Sequence, residues 1–206
     1  HSIYDHTWQQ HITNGCIEYF MEQKQAGRIK YFGFSSHAGP EALTAFSNSC
    51  DWDFAQIQLT YLDWQFKTAK HEYEILSQKG IPIMVMEPVR GGRLATLTEE
   101  LDGKLKQAQP DWPIASWALR WVKSLPNVQV VLSGMSTLKQ IEENVITFAD
   151  DAALTDEQAA FVEEIGREFK TAFTIPCTAC RYCCDDCPQG LDIPQLLRIY
   201  NNYKYV

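Results

Sequence analysis

Strand, loop and helix alternate four times within the first 150 residues, and that alternation constrains the fold more than any other feature. Crossovers of this length join parallel strands, so the pattern predicts an α/β sheet with helices packed on it. The β-rich runs are 29–35, 54–60, 81–86 and 128–132. The last three stretches between or after them carry apolar residues at helical spacing, over 69–78, 114–122 and 137–148. A helix over 7–26 precedes the first strand and stops at Gly27; Ile12, Cys16, Ile17, Phe20 and Met21 define its apolar face. Pro40 opens a further helix to about residue 46, and Thr155 caps another running to about residue 170. The run 81–86 is apolar on both faces, which predicts a strand buried on both sides. Periodicity alone fits either an open doubly wound sheet or part of a (β/α)8 barrel. No Gly-x-Gly-x-x-Gly follows the first strand, which counts against a dinucleotide fold of the doubly wound kind. In both architectures ligands bind where the strands end, and there the polar and glycine residues gather: Ser35 to His37, Tyr61 to Asp63, Glu87 to Gly92 and Ser133 to Ser136.

The second constraint is a run of cysteines. Five of the seven in this 206-residue chain are Cys177, Cys180, Cys183, Cys184 and Cys187, with Pro188 following the last. Cys-x-x-Cys-x-x-Cys-x-x-x-Cys-Pro is the spacing that wraps a [4Fe–4S] cluster in bacterial ferredoxins. Zinc sites favour two short pairs with a longer spacer, and disulfide frameworks favour small secreted chains. Cys177, Cys180 and Cys183 are the expected ligands. Cys187 is the expected fourth, with Cys184 as competitor; in two-cluster ferredoxins the fourth cysteine of such a run serves the other cluster. Cys16 reads as a core residue and Cys50 as a loop thiol. A short helix over 191–200 is expected to follow. The division is therefore a barrel portion at 1–172 and a ferredoxin-like segment at 173–206.

A formal charge of −8 points away from nucleic acid. No apolar run reaches membrane-spanning length. Free cysteines with cluster spacing predict a reducing, cytoplasmic setting.

Four segments, in order, resemble the aldo/keto reductase family: Gly27-Arg-Ile-Lys-Tyr-Phe-Gly-Phe-Ser-Ser36, Ala55-Gln-Ile-Gln58, Met86-Glu-Pro-Val-Arg-Gly-Gly-Arg-Leu94 and Ser133-Gly-Met-Ser-Thr-Leu-Lys-Gln-Ile-Glu-Glu-Asn144. With the cysteine run they resemble the branch that carries a C-terminal 4Fe-4S extension. The resemblance implies a (β/α)8 TIM barrel, of which this chain supplies about strands 4–8, binding NADP(H) or NAD(H). It places His1 where a histidine orients the substrate carbonyl, and places the family's Asp, Tyr and Lys before the region present here. An unpaired parallel edge is a liability, so further sequence or a partner is expected to close the sheet. Ser35, Ser36 and Gln56 match positions that hold the nicotinamide amide, and Met86 stands where relatives place a stacking aromatic. Pro88, Gly91, Gly92 and Leu94 match the loop over the pyrophosphate. Gly134, Met135 and Ser136 precede a helix N-terminus suited to phosphate, with Gln140, Glu143 and Asn144 facing the adenosine. Gly134 replaces a lysine that some relatives use for the 2′-phosphate, and Lys139 is its nearest substitute. Read without the resemblance, Gln56 also fits a satisfied core amide, Gly91-Gly92 an ordinary loop, and Arg90 an ion pair with Glu87.

Three functional readings follow. The first is an NAD(P)H-dependent oxidoreductase carrying a 4Fe-4S cluster, acting on a small carbonyl substrate or passing electrons to a redox protein partner. The second is a non-catalytic iron–sulfur module that transfers electrons or binds a partner. A zinc-stapled structural domain is the third and blandest.

Overall fold

The structure, a computed structural model, describes residues 1–150, 153–175, 177, 179–185 and 187–205. Its centre is a parallel sheet of β1 (Gly33–Ser35), β2 (Phe54–Gln58), β3 (Ile83–Met86) and β4 (Val128–Val131), hydrogen-bonded in that order. One further backbone bridge, Ile3 to Ser36, extends the sheet beyond β1, in parallel. Four strands and the end of a fifth are what the sequence predicted for this part of a barrel.

The helices are α1 (Trp8–Thr13), α2 (Cys16–Gln25), α3 (Pro40–Ser47), α4 (Tyr61–Phe66), α5 (Ala69–Gln78), α6 (Glu99–Ala108), α7 (Ile114–Lys123), α8 (Leu138–Ala149), α9 (Asp156–Phe173), α10 (Tyr182–Asp185) and α11 (Ile193–Tyr205). Alternation along the strands decides which face they cover. Ala55, Ile57, Ile83 and Val85 are fully buried under helices, α5 packing on both β2 and β3. Gln56, Gln58, Met84 and Met86 point the other way and are half-buried. The run 81–86 therefore has one closed and one open face. Its apolar open-face residues, Met84 and Met86, made it look like a strand buried on both sides.

Burying the aliphatic and aromatic core on the helix side stabilises the sheet, at about 25 cal/mol per Å² of apolar surface removed from water. Phe34, Phe46 and Trp52 meet there with ring centroids 4.8–5.2 Å apart. Gly33 lets β1 approach β2: a Cβ at that position would lie 2.5 Å from the Phe54 carbonyl oxygen.

Three expectations are corrected. The single helix over 7–26 is two, because Asn14-Gly15 forms a turn: Gly15 has φ 78° and the Asn14 side chain accepts from the Cys16 N–H at 3.0 Å. Cys16 is consequently exposed rather than core. The polar stretch after β2 is not loop but α4, whose N-cap Thr60 accepts from the Asp63 N–H. Among the described residues no helix is long and apolar enough to cross a membrane.

Candidate functional site

Parallel register brings the nicotinamide candidates into one row on the open face. Ser35 stands beside Gln56, and Gln58 beside Met86. The Gln56 side-chain amide donates to the Met86 sulfur at 3.3 Å. Ser35 is already engaged: its hydroxyl oxygen accepts from the Ser2 N–H at 2.8 Å and lies 2.7 Å from His1 Nδ1. Either atom of this pair can be the donor, according to the tautomer of the ring. His1 is exposed at the end of the sheet, and in the tautomer that carries its proton on Nε2 it can donate to a carbonyl oxygen. Ser36 is buried, and its hydroxyl accepts from the Ala38 N–H at 3.1 Å, so it shapes the turn instead of facing the row.

A cavity of about 700 Å³ opens beyond the end of β3, next to this row. Its walls are the loop after β3 and the segment 133–144 after β4. Pro88, Gly91, Gly92, Gly134, Met135, Ser136, Gln140, Glu143 and Asn144 all line it. Leu94 does not; it is fully buried and pins the loop to the core. Gly91 and Gly92 have φ 62° and 95° with open space where a side chain would be, so their backbone is presented directly to the cavity.

At the N-terminus of α8, Thr137 and Gln140 form a capping box. The Gln140 side-chain oxygen accepts from the Ser136 and Thr137 amides at 2.8 and 3.1 Å. Those two amides are therefore spent on the cap, and the first-turn amides of Leu138 and Lys139 are the remaining donors for an anion. Asn144 donates to the Ser133 hydroxyl at 3.0 Å, holding the segment against its helix. Lys139 pairs with Glu143 at 3.6 Å. Sequence reasoning missed Lys106, Pro113 and Ile114 in the wall; they belong to α6 and the start of α7, which only the tertiary fold brings to the cavity.

Below the loop lies a buried ion pair. Arg90 Nε donates to Asp63 Oδ2 at 3.2 Å, with side chains 6% and 3% exposed. Thr60 and Gln58 donate to the same oxygen at 2.9 and 3.1 Å, and Lys67 lies 3.4 Å from the other. Arg90 thus pairs with Asp63 rather than Glu87, because α4 carries a carboxylate under the loop that the sequence had read as loop itself. His37 faces solvent and stacks on Tyr4 at 5.4 Å, bordering a smaller cavity of about 240 Å³ with Asp63, Lys67 and Glu72. Burial pushes the Glu72 carboxyl up, partly offset by the Thr68 hydroxyl that donates to it.

In the C-terminal segment Cys177, Cys180 and Cys183 are exposed, and Cys184 and Cys187 are half-buried. Ala179 and Arg181, one in each Cys-x-x-Cys loop, have φ 55° and 67°. Non-glycine residues rarely take that conformation. The Ala179 N–H donates to the Cys177 sulfur at 3.4 Å and the Leu191 N–H to the Cys187 sulfur at 3.5 Å. Three backbone amides hold the Cys187 thiol below its ordinary range, whereas desolvation and the neighbouring Cys184 raise that of Cys183. Among the described residues no three His, Cys, Asp or Glu side chains converge at metal-ligand distances. The expected thiol ligands are thus not gathered into a metal site in this structure.

Residues 4–167 match the Aldo/keto reductase family. The chain is 25% identical over 160 residues to the uncharacterized oxidoreductase YqkF of Bacillus subtilis, covering 69% of this chain and 52% of that protein. The holo form of the aldo-keto reductase AKR11C1 from Bacillus halodurans superimposes with a TM-score of 0.60 at 25% identity, covering 72% of this chain and 54% of that one. Aldose reductase from Giardia lamblia shares the fold, with a TM-score of 0.56 at 16% identity over 73% of this chain and 49% of that one. The chain spans about half the length of these relatives.

Proposed function

The chain belongs to the aldo/keto reductase family, and we propose that its 700 Å³ cavity holds the dinucleotide of an NAD(P)H-dependent oxidoreductase. One observation carries the reading. The two segments that resemble the family's pyrophosphate loop and adenosine helix are far apart in sequence, yet they face each other across a single cavity. In this reading Gly91, Gly92 and the first-turn amides of α8 would receive phosphate oxygens, and the nicotinamide end would extend toward the row that holds Gln56 and Met86. Bound there, NAD(P)H supplies a hydride to a carbonyl carbon. His1 orients the carbonyl oxygen through Nε2–H, its ring held by Ser35. Lys139 lines the cavity beside the adenosine helix, partly neutralised by Glu143.

The second part of the proposal is a 4Fe-4S cluster held by Cys177, Cys180 and Cys183, with Cys187 as fourth ligand. Positive φ at Ala179 and Arg181 and the N–H to sulfur contacts support it. A cluster of this kind supplies one-electron transfer, so a redox protein is the expected partner beside a small carbonyl substrate.

Fluorescence titration with NADPH and NADH tests the nucleotide site. Saturable binding is expected, and Gly92→Val, which forces a β-branched side chain into φ 95°, is expected to weaken it at least about tenfold while lowering the melting temperature by only a few degrees. Absence of binding to either nucleotide removes the reading and leaves an iron–sulfur module.

A further inference from the structure

The loop that walls the cavity is strained. Glu87 and Arg90 have φ 53° and 52°, and Gly91 and Gly92 follow at 62° and 95°. Non-glycine residues in this region persist only where the surroundings over-determine them. Two of the restraints lie inside the body: the Arg90–Asp63 pair, and Leu94 in the core. The third leaves it. Arg93 Nη1 donates to the backbone carbonyl of Lys204 at 2.7 Å, more than a hundred residues away.

That carbonyl belongs to the last turn of α11, whose final carbonyls have no partner within the helix. A guanidinium at a helix C-terminus satisfies one of them and complements the dipole. Among the described residues of α11, Ile193 and Leu197 are half-buried and the other apolar side chains lie mostly in solvent. Leu196, Ile199, Tyr200 and Tyr203 are 48%, 54%, 42% and 73% exposed. Asn201 exchanges hydrogen bonds with the Ile175 backbone at 2.7 and 2.8 Å, where the helix packs on α9. With so little apolar burial, individual tethers decide how firmly α11 sits.

We propose that Arg93 is a positioning residue that ties the cavity loop to the C-terminal helix, so that nucleotide binding and docking of α11 strengthen each other. The inference rests on the nucleotide reading of the cavity. By linkage the coupling is reciprocal: a nucleotide that immobilises Gly91 and Gly92 fixes Arg93 and holds α11, and a docked α11 pre-pays part of the ordering of the loop. The 13-residue helix then spans about 20 Å between the loop at one end and the cysteine run at the other.

Amide hydrogen exchange on the full chain, with and without NADPH, tests this in the wild type, Arg93→Ala, Arg93→Lys and Asn201→Ala. In the wild type NADPH is expected to slow exchange at 88–95 and 133–144, and also at 200–205. Arg93→Ala is expected to keep the first protection, lose the second, and bind NADPH about fivefold more weakly, the low end of inter-site coupling. Arg93→Lys, which retains one donor, is expected to restore the remote protection in part. Asn201→Ala, which leaves the loop untouched, is expected to weaken NADPH binding as well. Protection at the loop without protection at 200–205, or equal remote protection in Arg93→Ala, overturns the role of Arg93 while the nucleotide reading stands. Protection at neither place removes both.

Discussion

The body of the chain and its cysteine-rich end are held by different physics. In the body, whole side chains disappear from water: Leu43, Ile57, Leu62, Ile83, Leu105 and Leu119 are fully buried. In the segment after α9, the described cysteines are exposed or half-buried and α11 keeps its apolar residues largely in solvent. Hydrophobic burial stabilises the first. The second has little to fold around unless its thiols take a ligand, because metal binding then becomes folding free energy.

The two ion pairs give the largest expected contrast. Asp63–Arg90 is buried and Arg181–Asp192 is 60% and 40% exposed. Asp63→Ala removes the buried carboxylate partner of Arg90 and is expected to cost about 3–5 kcal/mol in urea unfolding; Asp192→Ala is expected to cost less than about 1 kcal/mol. Equal losses would erase the distinction. A truncation pair follows. Ile57→Ala in β2 is expected to cost about 2–5 kcal/mol, and Ile199→Ala in α11, 54% exposed, less than about 0.5 kcal/mol.

Most of the body's architecture was legible because strand alternation and helix periodicity are local. The bounds of α5 and the Thr137 cap of α8 follow directly from apolar spacing and an N-cap residue. What escaped was non-local or disguised. Helix α4 hid behind Tyr61 and Asp63, which look like loop residues until Thr60 is seen to cap them. Arg90 could not be paired correctly before α4 existed. Cys16 fitted an apolar face until Gly15 ended the helix before it. In the candidate site, the loop and the adenosine segment were named from the resemblance, while Lys106, Pro113 and Arg93 carry no sequence signal for the places the fold gives them.

Smaller effects sharpen the picture of the body. The Lys24 ammonium and the Phe32 N–H hold the Asp53 carboxyl below its usual 3.8. A carboxyl depressed in the folded state contributes stability above its unfolded value and loses it as the pH falls through the folded one. Asp53→Asn is therefore expected to lower stability at pH 7 and to flatten the acid limb below about pH 4, read from melting temperature against pH. The Cys50 thiol, pushed up to about 11 by burial and by Asp51, is expected to alkylate slowly at pH 8 beside the exposed Cys16, as peptide mapping after iodoacetamide would show.

The most direct test is a count of iron and acid-labile sulfide on anaerobically prepared protein, with visible absorption, for the wild type, Cys180→Ser and Cys50→Ser. About four irons and four sulfides per chain, lost in Cys180→Ser and kept in Cys50→Ser while both variants retain the wild-type melting of the body, is the expected result. Stoichiometric zinc, or a cysteine segment that is fully protected from exchange with no metal bound, would contradict it.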